Sequence, residues 1–441
     1  MMAYVIALVL FASHALHKIF RLRSNIRAAK QTGLPYTLSP IHELEIWAHI
    51  ADPILRWACS ARILRGQGWP RWARFMVKDW HYEDKRRAHD EFGAIFLVVS
   101  FAGMMLEPFG PNVVSLDGEK WKAHLAITLP PVAADNVLGL LWEETYRQVD
   151  IMAMTWNRAG EVPSLKRNIY SLTMNTMLSV GFGKQSERTE GSDAVSKGHM
   201  LSLVEAMYTV VMHLPHILLL AKPVLKFLKP EASTGYTELE RYMTELLIRE
   251  KDLLSKSHIQ KHSSRETLMT AMLRSNLNSQ SDGLSLTDNE VMGNMFIFLL
   301  AGYDTTANTM IFCSMVLALY PDIQNRLIEE VDRIWAEAAR EGRSELSHTH
   351  DMPKFRYMIA FMYEVMRVFP IVLPTVRDTC GPQVLSLKDT THSLPSDTGV
   401  IVNNTAIHYD CDNWPNPGMI DPRRCGLMPG DPSNAMWQSK F

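Results

Sequence analysis

Cysteine is scarce: Cys59, Cys313, Cys380, Cys411 and Cys425 are odd in number, scattered, and include no C-x-x-C pair. This argues against a disulfide framework and a structural zinc site, and favours a reducing compartment. Neither sign of charge dominates, with 45 Lys and Arg against 47 Asp and Glu for a formal charge of −2. Without a dense basic patch interleaved with aromatics, nucleic acid is not an expected partner. There is no G-x-x-x-x-G-K-[ST], no G-x-G-x-x-G, and no G-x-S-x-G in a suitable setting. No internal repeat is evident. His348, His350 and Asp351 cluster in "HTHD", but i, i+2 spacing in a polar loop makes a poor metal site. His213 and His216, in "VVMHLPHILLL", read as core or lid residues.

What is present is ample apolar material. With 441 residues and 47% hydrophobic content, the chain can bury a substantial core. Residues 1–20 read as an N-terminal membrane anchor, apolar from Ala3 to Ala12 and more weakly to Phe20. Both a short transmembrane helix and a monotopic helix fit that length. Lys18, Arg21, Arg23, Arg27 and Lys30 would keep the bulk of the protein in the cytosol, and the flanks do not suit a cleaved signal peptide. Residues 21–40 form a basic, proline-containing linker ending in "TGLPYTLSP", and 41–441 are expected to form one large domain.

Within that domain, amphipathic periodicity predicts helices over 135–156, 237–256 and 321–340. Strand candidates are few: 96–101, 112–116, 383–387 and 398–405. Residues 257–266 and 276–283 read as polar surface loops. The class is mainly α with a minor β component.

The capping box "TDNE" (287–290) predicts a helix start and Pro321 its end, giving roughly 30 residues and about 45 Å. In its middle stands "AGYDTT", residues 301–306. A second transmembrane span is disfavoured by Asp304 and Asn308 at mid-helix. An ordinary core helix would explain Thr305 and Thr306 by bonds back to i−4 carbonyls, but leaves Asp304 without a partner and Gly302 costing about 1 kcal/mol against alanine. A functional reading uses every residue. Ala301 and Gly302 would let a flat ligand approach the backbone, while Asp304 beside Thr305 could relay protons.

Downstream, "FMYEVMRVFP" sets Glu364 and Arg367 at i, i+3 among apolar neighbours, and "IDPRRC" offers Arg423 and Arg424. A-G-x-D-T-T on a long helix, E-x-x-R on the next major helix, then "HYDCDNWPNP" leading into D-P-R-R resemble, in order and spacing, the cytochrome P450 superfamily. The style of the N-terminus and loops is similar to a fungal membrane-bound monooxygenase, and the resemblance runs from the anchor to Cys425.

The resemblance implies a cytochrome P450 fold with haem (heme) as cofactor. Asp304 and Thr305 would be the acid and alcohol that deliver protons during oxygen activation, with Ala301 and Gly302 against the haem face. Glu364, Arg367 and Arg424 would form the structural triad. Trp121, in "DGEKWKAHL", and Arg377, in "LPTVRDT", would address haem propionates. Leu125 stands where the family has an arginine, and His124 would partly substitute for it. The implied partners are an NADPH-cytochrome P450 reductase and an apolar small-molecule substrate. The implied place is the endoplasmic reticulum membrane, with the catalytic domain cytosolic, in fungal secondary metabolism or detoxification.

One expected element is missing. The proximal cysteine belongs in F-x-x-G-x-R-x-C-x-G shortly after D-P-R-R, where the sequence reads "CGLMPGDPSNAMWQSKF". The expectation is a chain truncated before the haem-cysteine loop and the helix after it, with no metal ligand among its residues. Two classes of function follow. The first is a haem-thiolate monooxygenase, inserting one oxygen atom from dioxygen into an organic substrate. The second is a catalytically inactive P450-like protein or a membrane-attached binder of an apolar ligand.

Overall fold

A computed structural model describes residues 20, 22–39, 41, 43, 46–99, 108–132, 134–162, 164–183, 195–257, 267–279, 285–387, 390–396 and 398–425. The anchor expected over 1–20 therefore lies, but for Phe20, outside the described residues. In chain order the elements used below begin with β1 (Tyr36–Leu38), α1 (Ile46–Leu64), α2 (Trp80–Asp84), α3 (Arg87–Phe92) and β2 (Leu97–Val99). Then come α4 (Gly118–Val132), α5 (Asp135–Ala159), α6 (Leu165–Phe182), α7 (Leu203–Met212), α8 (Leu214–Leu219), α9 (Lys222–Leu228), α10 (Pro230–Ser257) and α11 (Leu268–Ser279). The chain continues with α12 (Asp288–Leu319), α13 (Pro321–Arg340), α14 (His348–Asp351), α15 (Arg356–Val368), β3 (Pro374–Asp378), β4 (Gln383–Leu387), β5 (Thr390–Leu394), β6 (Gly399–Asn403) and α16 (Asn404–His408). The mainly α class with minor β content is borne out.

Two compact units can be distinguished: Met1–Met104 with Val372–Ile420, and Met105–Ile371 with Asp421–Phe441. The first holds three two-stranded sheets: β1 and β2 run parallel, while β3–β6 and β4–β5 are antiparallel. Its core is aromatic, with Phe75 edge-on to Trp80 at 4.8 Å and Trp69 fully buried. Buried Arg74 bonds Asp84 and, at 2.8 Å, Glu91, so its charge is matched inside that core.

The second unit is built around α12. The capping box forms as the sequence predicts: Thr287 Oγ1 accepts from the Glu290 N–H, and Glu290 accepts from the Thr287 N–H at 2.8 Å. Val291, Met295, Phe296, Leu299 and Tyr303 bury one side of the helix against a methionine-rich core that includes Met174, Met207 and Met243. Methionine's flexible thioether fills the gaps between helices crossing at unequal distances. Gly293 permits the closest approach. A Cβ there would meet the Pro111 carbonyl oxygen at 2.4 Å and that of Gly110 at 2.6 Å. By length and composition, α12 is also the one described helix able to cross a bilayer. It nevertheless packs along α6, α10, α13 and α15 within its own unit.

Two expectations are corrected. Residues 112–116 form a turn, not a strand, because Asn112 Oδ1 accepts from the Val114 and Ser115 N–H groups at 3.0 and 3.2 Å. An Asx turn of this kind diverts the backbone from pairing. The strand expected over 398–405 stops at Asn403, whose Oδ1 takes the Ala406 N–H at 3.0 Å and starts α16. Of the polar segment at 276–283, residues 276–279 complete α11, where Asn276 pairs through both amide atoms with the Leu286 backbone. "HTHD" is a short capped turn: Asp351 is held by Arg343 and Lys354, and the described residues include no metal-binding cluster.

Candidate functional site

The polar turn of α12 sorts its side chains by face. Ala301, Thr305 and Thr309 recur at i, i+4 and i+8, a single stripe. Ala301 is exposed and both threonines are half-buried, while Leu299, Tyr303 and Ala307 on the opposite side are buried. The Thr305 hydroxyl donates to the Ala301 carbonyl, and Thr309 Oγ1 donates to the Thr305 carbonyl at 2.9 Å. The i−4 back-bonding weighed from the sequence is thus present, and it leaves the Thr305 lone pairs facing the stripe.

Asp304 is not without a partner. Its Oδ1 accepts from the Tyr170 hydroxyl of α6 at 3.0 Å, and Asn308 Nδ2 donates to its backbone carbonyl at 2.9 Å. Burial and then the Asp304 charge push the Tyr170 phenol up to about 12, so it remains a donor across the physiological range. Tyr303, edge-on to Tyr170 at 5.3 Å, is raised further, again chiefly by burial.

Gly302 departs from the expectation of a residue facing a flat ligand. A Cβ there would meet Met177 of α6, its Cε at 2.5 Å and Sδ at 2.6 Å. The glycine lets two helices close up, although Met177 could yield at modest cost because those atoms end a flexible chain. Within the motif, Ala301 alone keeps its small side on the open stripe.

His124 is buried within the second unit. On α4 it is 1% exposed, with Nδ1 3.0 Å from Asn294 Nδ2 and Nε2 3.5 Å from Glu290 Oε1. Asn294, itself fully buried, also accepts from the Val113 N–H at 2.9 Å and donates to the Glu290 carbonyl at 2.8 Å. Burial would raise the Glu290 carboxyl, but bonds from Thr287 and His124 hold it below the usual range. The imidazole therefore fastens the first turns of α12, and its donor is turned inward. Trp121, one turn earlier, is 39% exposed. Arg377 lies on β3 in the first unit, exposed, with Nη1 donating to the Val376 carbonyl at 2.9 Å.

Glu364, Arg367 and Arg424 are brought together. Arg367 grips Glu364 with two parallel bonds, Nε to Oε2 at 2.8 Å and Nη2 to Oε1 at 2.9 Å, and the pair is 4% and 0% exposed. The Asp421 N–H donates to the same Oε1 at 2.9 Å, and Arg424 Nε stands 3.5 Å from it. Asp421 in turn clamps Arg423 by 2.8 and 2.9 Å bonds, which keep its carboxyl low despite partial burial. Phe312 of α12 stacks on Phe369 just past α15 at 4.8 Å, coupling this cluster to the long helix.

Sequence reasoning missed Tyr170, Asn294 and the Asp421 N–H. Asn294 carried a signal, an amide inside the apolar run "VMGNMFIF". Tyr170 carried none, since a tyrosine on an amphipathic helix is ordinary.

Comparison with known proteins follows this geometry. The family profile described as Cytochrome P450 matches residues 89–425. Cytochrome P450 monooxygenase prx9 of Penicillium rubens is 36% identical over 95% of this chain and 80% of its own length. Cytochrome P450 monooxygenase ORF6 of Penicillium roqueforti is 36% identical over 93% and 78%. A solved zebrafish cytochrome P450 with abiraterone is 19% identical and superposes with a TM-score of 0.55 over 78% of this chain and 75% of that one, a likeness of fold alone. The family profile over residues 89–425 and the two Penicillium relatives at 36% identity place this chain, with its polar turn on the central helix and its buried carboxylate–arginine cluster, in the cytochrome P450 family.

Proposed function

We propose that this chain carries the oxygen-side wall and the structural triad of a haem-dependent monooxygenase acting on an apolar small molecule. The observation that carries the reading is the open Ala301–Thr305–Thr309 stripe with the Asp304 carboxylate on its flank. Haem, the family's cofactor, would supply oxygen activation and the transfer of one oxygen atom. Exposed Ala301 and partly exposed Trp121 would lie against that group. Thr305 would orient a hydroxyl or water along the stripe, and Asp304 would exchange protons at its free carboxylate oxygen. Half-buried Phe298, one turn before Ala301 on α12, favours an apolar substrate beside the stripe. The fungal relatives support secondary metabolism as the setting. Electrons would come from a reductase at the endoplasmic reticulum membrane.

None of the four cysteines whose side chains are described fits the proximal side. Burial pushes the Cys313 thiol up to about 11, so it stays protonated. Cys59 is buried in the aromatic core of the first unit, while Cys380 and Cys411 are exposed there. No step is therefore assigned through a thiolate. This donor set favours a second reading for the 441 residues by themselves, an inactive binder of apolar ligands.

A chimera separates the two. Joining residues 1–425 to the cysteine loop and following helix of a 36% identical relative should give NADPH-driven oxygenation of apolar compounds with a reductase. Asp304→Asn or Thr305→Ala should then cut product per NADPH by roughly 10². Equal yield in wild type and both variants overturns the assignment.

A further inference from the structure

We propose that Tyr170 is a positioning residue for Asp304: its hydroxyl holds the carboxylate on the flank of α12, beside the open stripe, and so fixes where a proton can be handed over. The inference rests on the reading of that stripe given above. Asp304 is half-buried, next to buried Tyr303 and one turn before buried Ala307, and the donor it meets is a phenol from the neighbouring helix.

Among the described residues, no Lys, Arg or His lies within ion-pair distance of Asp304. A cation would neutralise the carboxylate; a phenol directs it while leaving its charge and its second oxygen available. Asn308, one turn on, supports the backbone end of the arrangement: it donates to the Asp304 carbonyl at 2.9 Å. Burial, then the Asp304 charge, and to a lesser degree Tyr208 of α7 keep the phenol protonated, while the Lys166 ammonium on α6, 5.8 Å from the Tyr170 ring centroid, acts in the opposite sense. Tyr303 packs edge-on to the ring, and the hydroxyl of Tyr170 is aimed at Asp304.

The test uses the 441-residue chain and two readouts that involve no haem. Water-soluble carbodiimide labelling at Asp304, read by mass spectrometry of the peptide spanning it, should rise roughly tenfold in Tyr170→Phe, the loss expected for a hydrogen bond to a charged group. It should stay at the wild-type rate in Tyr303→Phe, which removes the neighbouring hydroxyl only. Equal rises in both variants would mean loosened packing and overturn the proposal, as would no rise in Tyr170→Phe. Should Tyr170→Phe fail to fold, a variant that keeps the tyrosine decides. At pH 7 the ¹³Cζ resonance of Tyr170 should move in Asp304→Asn and remain in place in Thr305→Ser. A resonance unmoved by Asp304→Asn overturns the proposal. Failure of the chimera to oxygenate anything defeats the reading of the stripe, and is told apart because labelling and resonance report the Tyr170–Asp304 contact without turnover.

Discussion

Removing one member of the Glu364–Arg367 pair should be the most destructive single change in the second unit. Glu364 is fully buried and accepts three hydrogen bonds, two from Arg367 and one from the Asp421 backbone. Glu364→Ala leaves the Arg367 guanidinium, 4% exposed, without its carboxylate, and leaves the Asp421 N–H without its acceptor. Breaking a buried pair from one side costs about 3–5 kcal/mol. At roughly 2–4 °C per kcal/mol for a body of this size, melting should fall by roughly 6–20 °C. The assay is thermal unfolding by circular dichroism of wild type, Glu364→Ala, Arg367→Met and the double variant Glu364→Leu/Arg367→Met. The double variant should lie well above the sum of the singles, because an apolar pair has no charge to strand. Single variants melting within about 2 °C of wild type would refute the reasoning, and strict additivity would show that the two side chains do not depend on each other.

Other outcomes follow from the same structure. Asn294→Ala strips a fully buried amide from the Val113 N–H, His124 and the Glu290 carbonyl, and should cost about 2–3 kcal/mol in urea unfolding. Asn294→Asp should be no better, since it removes the donor facing the Glu290 carbonyl. Burial, reinforced by Asp79, pushes the Glu43 carboxyl up to about 8. The folded state then binds a proton that the unfolded state has released, so stability should fall as pH rises from about 4.5 to about 8. Glu43→Gln should flatten that slope, about 3–4 kcal/mol across the range, in melts taken at pH 5 and pH 8. Gly293→Ala should cost about 2 kcal/mol or more, because its Cβ meets backbone carbonyls that cannot move aside, whereas Gly302→Ala meets only the end of Met177 and should cost under about 1 kcal/mol.

How far the molecule could be read from its sequence depended on the range of the interaction. The capping box at Thr287, the helix stop before Pro321 and the Glu364–Arg367 spacing are local, and the structure repeats each of them. Short strands were read less well. Asn112 and Asn403 redirect the backbone through their own side chains, and an apolar pattern does not register such bonds. His124 and Gly302 illustrate a second limit. The family pattern supplied their positions, but which way each faces was set by Asn294 and Met177, 170 and 125 residues away in sequence. Tyr170 is the extreme case, since its partner stands 134 residues further along the chain and nothing near the tyrosine marks it.

We propose, centrally, that these residues form the oxygen-side site and the triad of a haem-dependent monooxygenase and that none of their cysteines serves as axial thiolate. The reduced carbon monoxide difference spectrum tests it most directly, recorded in parallel on the 441-residue chain and on the chimera bearing a relative's cysteine loop. The account predicts the thiolate-type band in the chimera and none in the 441-residue chain. A band in the 441-residue chain would make Cys411 or Cys425 the ligand and contradict the claim; no band in the chimera would contradict the integrity of the site itself.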